Sequence, residues 1–286
     1  MSRLYVSDLD GTLLNNEANL SEFSRSTLHR LLQSDLPFTV ASARSVISMR
    51  VMLQGLKLTL PVVEFNGAFL SDLETGHHEV INSIEPAIVE DVYNLLHHYE
   101  CVPFISTFNG SEDCVYYNDI TNEGMRWYLD DQLTNHDKRW RITSNLRLAF
   151  RDRVMCMTII GRAAVLSELE AAVKEQHEDL VETHHFENQY SPGWYWLTIH
   201  DRRATKDQAI RVLMETYGLS GSELVVFGDQ NNDIKMFQVA DCAIAVANAT
   251  ADLKHHATEI IGTNQEDSVV KYLCDHWIES KTALEL

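Results

Sequence analysis

The chain has 286 residues, 45% of them hydrophobic, and a formal net charge of -19. That length is near the size at which one core stops growing, so two domains are expected, and the apolar content excludes a disordered chain. The acidic balance excludes a nucleic-acid-binding surface, which needs clustered Lys and Arg; an anionic ligand would need a metal ion or placed cations to reverse the local field.

The five cysteines (Cys101, Cys114, Cys156, Cys242, Cys274) are scattered and never spaced C-x-x-C. They suit buried thiols in a reducing cytoplasm better than a disulfide frame or a zinc site. No apolar run approaches the length of a membrane span. The first ten residues hold acids and no apolar h-region, so no secretory signal and a cytoplasmic location are expected.

In chain order, Arg3-Leu4-Tyr5-Val6-Ser7 is a short apolar run that predicts a buried strand. Asp8-Leu9-Asp10-Gly11-Thr12 follows, two carboxylates emerging where that strand ends, with Gly11 for a sharp turn. Ser21 can cap a helix running to about residue 32, with Phe23, Thr27, Leu28, Leu31 and Leu32 on one stripe. A second strand is predicted at 37–41, ending at Ser42-Ala43-Arg44, then a helix to about residue 56. A third strand at 61–65 is closed by Asn66-Gly67, itself a turn pair. This alternation predicts a parallel sheet. Residues 68–82, broken at Glu74-Thr75-Gly76, predict a hairpin.

The character changes near Pro86, which fits the first turn of a helix to about residue 99. Strands are predicted at 102–108, 114–117, 154–160, 180–186 and 194–199, with a helix at 163–177. Residues 130–147 are polar and carry no assignment. This stretch predicts an inserted α+β domain over 84–199, between core segments 1–83 and 200–286. Within it Trp194 and Trp196 flank Tyr195, placing one face of a strand in a core. Four His-His pairs (77–78, 97–98, 184–185, 255–256) are expected on the surface, because adjacent side chains do not face one way.

From Thr205 the first pattern returns. A helix to about residue 217 stops at Gly218, and 224–227 is a wholly apolar strand. Gly228-Asp229-Gln230-Asn231-Asn232-Asp233 follows, then a short helix, a strand at 242–246 and a helical tail from 266 to 278. If the strands before Asp8 and Asp229 are sheet neighbours, three or four carboxyl groups converge. An oxygen-only cluster of that kind suits Mg²⁺. It does not suit a calcium loop. From Asp8 that pattern meets Thr12, Leu13 and Asn19, and from Asp229 it meets Ile234 and Ala240, where an acid or amide, a glycine or a glutamate is required.

Four motifs now stand in order: Asp8-Leu9-Asp10-Gly11-Thr12-Leu13, Ser42 at a strand end, Lys206 at a helix start, and Gly228-Asp229-x-x-Asn232-Asp233. In order and spacing they resemble the haloacid dehalogenase superfamily. The position of the insertion, Glu64-x-Asn66-Gly67-Ala68 and Asn248-Ala249 resemble its Cof-like sugar-phosphate phosphatase branch with a type-2 cap. Ala43 stands where relatives usually carry Gly, and Ala245-Val246-Ala247-Asn248 replaces a common Met-Gly-Asn.

The resemblance implies a Rossmann-like parallel-sheet core, an inserted α+β cap, and a Mg²⁺-dependent phosphatase of small phosphorylated metabolites, sugar phosphates first among them. Asp8 would be the nucleophile and Asp10 the general acid and base. Asp8, the Asp10 backbone carbonyl, Asp229 and Asp233 would hold the metal, the last directly or through water. Ser42 and Lys206 would hold phosphoryl oxygens, and Arg44, Asn66, Gly67 and Asn232 would lie on the substrate side. The cap would close over substrate and choose the leaving group. The second carboxylate, Asp10, favours phosphate transfer over dehalogenation, because a departing halide needs no proton. The chain is expected as a monomer or weak homodimer, without nucleic-acid or membrane partners. A sugar phosphomutase and a non-catalytic binding protein on the same fold are the alternatives.

Overall fold

A computed structural model describes residues 2–134, 137–188 and 190–284. The chain divides into two compact units, Met1–Ile81 with Thr205–Leu286, and Asn82–Ala204. The first contains a five-stranded parallel sheet in the order Glu259–Ile260, Cys242–Ala245, Glu223–Gly228, Arg3–Ser7, Phe38–Val40. Its two central strands read as unbroken apolar runs because both faces are covered. Leu4, Tyr5, Val6, Val226 and Phe227 are all fully buried. The helix Glu22–Gln33 begins where Ser21 accepts a hydrogen bond from the Ser24 amide, and it buries Leu28 and Leu31. Phe23, expected on that stripe, is 45% exposed.

The expected third parallel strand takes a different course. Val62–Glu64 pairs antiparallel with Phe69–Ser71, which pairs with His78–Ile81. A single parallel bridge, Ala41 to Val63, ties this small sheet to the second strand. The cause is the turn that follows. Phe65, Asn66 and Gly67 all adopt positive φ (47°, 56° and 115°) and fold the chain straight back. A parallel partner would have required a long crossover instead. The hairpin expected at 68–82 is present, with its turn closed by the Asp72 carboxylate accepting from the Thr75 amide. The helix Ala251–His255 and strand Glu259–Ile260 escaped the sequence reading because neither is long enough to show a period.

The second unit is a six-stranded sheet in the order Val181–Glu187, Tyr195–Asp201, Arg153–Gly161, Pro103–Phe108, Asp113–Tyr117, Trp140–Ile142. Side chains alternate between its faces. Ile105, Met157, Ile159, Leu197 and Ile199 pack with the helices Pro86–His98 and Ala163–His177. Phe104, Ile160 and Trp196 face the other way and pack with the helix Glu123–Thr134 through Met125, Trp127 and Tyr128. That helix in part, and the edge strand Trp140–Ile142 in full, lie in the stretch that carried no assignment; residues 135 and 136 lie outside the described residues.

The histidine pairs need a correction. His77, His97, His98, His255 and His256 are exposed, but His78, His184 and His185 are half-buried. His78 stacks on Phe69, and the two faces of the strand Val181–Glu187 are both covered, His184 lying by His200 and His185 by Glu170. His184 lies 5.8 Å, ring to ring, from His200, which is fully buried with Nε2 3.6 Å from Cys156 Sγ. Burial pushes the His200 imidazole down to about 4. The unfolded chain therefore takes up a proton near the ordinary value that the folded chain refuses. The His200 contribution to stability therefore rises with pH across this window and is lost on acidification, by at most about 3 kcal/mol between roughly pH 6.5 and 4. The raised Asp8 and Asp229 carboxyls of the first unit act in the opposite sense. Four of the five tryptophans (127, 140, 194, 196) lie in this unit. In urea titrations followed by tryptophan fluorescence, the midpoint of His200→Gln relative to that of the parent should be higher at pH 5 than at pH 7. A difference between variant and parent that is the same at both pH values would contradict this account.

Candidate active site

The register of the central strands builds the site. Ser7 lies opposite Phe227 in a parallel pair, so both strands end at the same edge of the sheet. The Asp8 amide extends the ladder by one bond, to the Phe227 carbonyl at 2.9 Å. Asp229 follows Gly228 on the neighbouring strand. The chain then coils tightly through Leu9–Leu13, closed by the Leu14 amide on the Leu9 carbonyl at 2.8 Å. Gly11 makes the coil possible at φ 72°, and a Cβ there would lie 2.3 Å from Asp229 Oδ2. The first acidic motif is thus seated directly on the carboxylate of the second.

Asp8, Asp229 and Asp233 are all buried, with carboxylate oxygens within 4.8 Å of one another. Lys206, 1% exposed at the start of the helix Lys206–Thr216, reaches into this cluster. Its Nζ donates to Asp8 Oδ1 at 2.6 Å and to Asp233 Oδ1 at 2.7 Å. The other Asp233 oxygen accepts from the Asp229 and Gln230 amides at 3.0 and 3.1 Å. Asp233 therefore holds both the lysine and the backbone of the fourth motif. Thr12 donates to Asp229 Oδ1 at 3.2 Å. The role of this hydroxyl was not foreseen, although its place after the glycine of the first motif was the available signal.

Two carboxylates share one ammonium here, with a third beside them, out of water. Burial pushes the Asp8 carboxyl up to about 7, against the pull of Lys206, with Asp233 and Asp10 reinforcing burial. Asp229 is held well above the usual carboxylate range by burial and then by the charges of Asp8 and Asp233. Lys206 sits above its ordinary value: burial opposes its charge, but Asp233 and Asp8 outweigh burial.

Asp10 stands apart from this cluster. Its carboxylate accepts a two-pronged bond from Arg44, Nε to Oδ2 and Nη2 to Oδ1, both at 2.6 Å. Ser42, 1% exposed, lies at the end of the second strand, and its hydroxyl accepts from the Arg44 amide at 3.2 Å. Asn66, also 1% exposed, accepts through Oδ1 from Asn232 Nδ2 at 3.1 Å. Gly67 lies against backbone: a Cβ there would be 2.5 Å from the Thr205 carbonyl oxygen, one residue before Lys206. Asn248 donates to the Gly11 carbonyl at 2.7 Å and accepts from the Asn264 amide. The fold therefore brings Asp8, Asp229, Asp233 and Lys206 into direct contact, pairs Asp10 with Arg44 and Asn66 with Asn232, and wedges Gly67 beneath the lysine helix.

The sequence model of the haloacid dehalogenase-like hydrolases matches residues 5–273, nearly the whole chain. The chain belongs to that family. Like this haloacid dehalogenase-like hydrolase in sequence is the Bacillus subtilis 5-amino-6-(5-phospho-D-ribitylamino)uracil phosphatase YitU, 23% identical and covering 96% of this chain and 97% of its own. The Escherichia coli pyridoxal phosphate phosphatase YbhA is 24% identical, over 97% of this chain and 99% of its own. Among solved structures, TM0651 from Thermotoga maritima superposes with a TM-score of 0.75 at 27% identity, covering 96% and 97% of the two chains. A haloacid dehalogenase-like hydrolase from Bacteroides thetaiotaomicron superposes with a TM-score of 0.76 at 22% identity, covering 96% and 98%.

The donor set of this hydrolase fits a hard divalent cation. It offers carboxylate oxygens with neither thiolate nor imidazole among them, and they are buried where a cation is needed to balance their charge. Among the described residues no helix is long and apolar enough to cross a membrane.

Proposed function

We propose that this chain is a Mg²⁺-dependent phosphatase of small phosphorylated metabolites that works through an aspartyl-phosphate on Asp8. The observation that carries the proposal is the Lys206 ammonium 2.6 Å from an Asp8 carboxylate that stands beside Asp229 at one sheet edge. Asp8, the Asp10 carbonyl and Asp229 would hold Mg²⁺, with Asp233 behind them. The ion would supply positive charge for the phosphoryl oxygens and let the acids ionise together.

The protein residues carry the steps. An Asp8 oxygen attacks phosphorus as the bond to the leaving oxygen breaks, and the Asp10 carboxyl gives that oxygen its proton. The Asp10 carboxylate then takes a proton from the water that attacks the phosphoryl group. Inorganic phosphate leaves and the Asp8 carboxylate is restored. Lys206 and Ser42 steady the phosphoryl oxygens, and Arg44 orients Asp10. Lys206 and Arg44 are each paired with carboxylates, so the positive charge that an acidic chain needs to draw in an anion would come from the ion together with them. The inserted unit would choose the leaving group. Sugar phosphates, a ribitylaminouracil phosphate and pyridoxal phosphate, the latter two taken from the names of the relatives, are the first substrates to try.

A generic aryl phosphate tests the reading. Turnover is expected with Mg²⁺, lost on adding a chelator and regained with excess Mg²⁺. Turnover indifferent to chelation, or none with any phosphate ester, would overturn it.

A further inference from the structure

Glu64 is a buried acid that none of these steps uses. It ends the strand Val62–Glu64 with no exposed surface. Taking a carboxylate out of water costs several kcal/mol unless strong partners replace the solvent. Here they do. Oε2 accepts from the amide of Val46, the first residue of the helix Val46–Met52, at 2.6 Å. Oε1 accepts from the Ser71 hydroxyl. His78 Nδ1 lies 2.7 Å from Ser71 Oγ and 3.1 Å from Glu64 Oε1, its ring stacked on Phe69 at 4.0 Å. With Ser71 donating to the carboxylate, Nδ1 must carry the hydrogen that completes the triangle.

The same stretch of chain is stitched to the second motif. The Ser42 amide donates to the Val63 carbonyl, the Asn66 amide to the Ser42 carbonyl, and the Phe65 amide to the Arg44 carbonyl, at 2.9 to 3.1 Å. Residues 42–46 thus hang from residues 63–66 by three backbone bonds and one side chain, that of Glu64. The Glu64 bond fixes the point where the loop becomes helix, two residues beyond Arg44. Arg44 in turn carries both bonds to Asp10.

We propose that Glu64, braced by Ser71 and His78, is a positioning residue that sets the 42–46 loop so that the Arg44 guanidinium meets the Asp10 carboxylate. The proposal rests on the phosphatase reading for its kinetic readout and on nothing else from it. A packing residue would change stability alone. A positioning residue changes turnover in the folded protein, and it does so through Arg44.

The test is a mutant cycle on the full chain with an aryl phosphate and Mg²⁺, the folded fraction of each variant being set by circular dichroism. Glu64→Ala should lower kcat by about 10- to 100-fold with little change in KM, a misplacement effect of ordinary size. Glu64→Gln should stay within about threefold of the parent, because its amide can accept from Val46 and donate to Ser71. In an Arg44→Ala background Glu64→Ala should cost less than about twofold more, the mark of residues acting in series. Parental kcat in folded Glu64→Ala, or its full effect persisting without Arg44, would overturn the proposal. If Glu64→Ala does not fold, Ser71→Ala serves in the same cycle with a smaller loss, subject to the same two outcomes.

A parent with no turnover would count against the phosphatase reading alone. Amide and guanidinium exchange by NMR would then decide the proposal. The Arg44 Nε–H, sheltered by Asp10, should exchange faster in Glu64→Ala or, where that variant does not fold, in Ser71→Ala. An unchanged rate would overturn the proposal.

Discussion

Asp8→Asn is expected to give a folded protein whose kcat is lower by roughly 10⁴-fold, the scale seen when a nucleophile is removed. The amide keeps the shape of the carboxylate, and its oxygen can still accept from Lys206 Nζ, which also retains Asp233 at 2.7 Å. Folding should not suffer. Burial already holds the Asp8 carboxyl up near 7, with Asp233 and Asp10 pressing the same way. Removing one acid from such a group relieves repulsion, so without added metal the melting temperature should hold or rise. Phosphate release and thermal denaturation, run side by side, check both halves. A variant that kept more than about 1% of turnover would remove Asp8 from the nucleophile's role.

Lys206→Met should damage both properties. The lysine is the ammonium shared by two buried carboxylates, and methionine fills much of its volume without its charge. Breaking a buried pair by removing one partner costs about 3–5 kcal/mol, because the remaining charge is stranded. Denaturant unfolding in chelator should show a loss of that order, with part of it recovered on adding Mg²⁺. Turnover should fall by about 10²- to 10³-fold, the range for losing one group that stabilises charge in the transition state. A loss of less than about 1 kcal/mol in chelator would mean that the ion triad does not hold the site together.

How much of this was legible depends on the interaction concerned. Asp8 and Asp10 were visible because an apolar run and a glycine frame them, and a strand followed by a tight turn needs both. That the strand before Asp229 would lie beside the strand before Asp8 does not follow from periodicity. It came from four motifs standing in a known order, and the Ser7–Phe227 register then places their ends side by side. The turn at Asn66-Gly67 was legible, but the left-handed backbone at Phe65 gave little warning, because a bulky residue at positive φ is held by its surroundings rather than by its own preference. Glu64 and His78 were illegible for a related reason. A polar residue in a short strand is read as facing solvent. Their burial depends on Val46 and Ser71, contacts that only the tertiary fold supplies. The helix Glu123–Thr134 does carry Met125, Tyr128 and Leu129 at i, i+3 and i+4, but that stripe is one turn long and stops at the polar run Asp130-Asp131-Gln132, too short to show a period.

The most direct measurement is to quench the enzyme in acid within milliseconds of mixing with an aryl phosphate and Mg²⁺, then to weigh its peptides. One phosphoryl group should be found on the peptide carrying Asp8, chasing away as water is allowed to react and absent from Asp8→Asn. Full turnover with that peptide unmodified at every time, or a phosphoryl group on some other residue, would contradict the account.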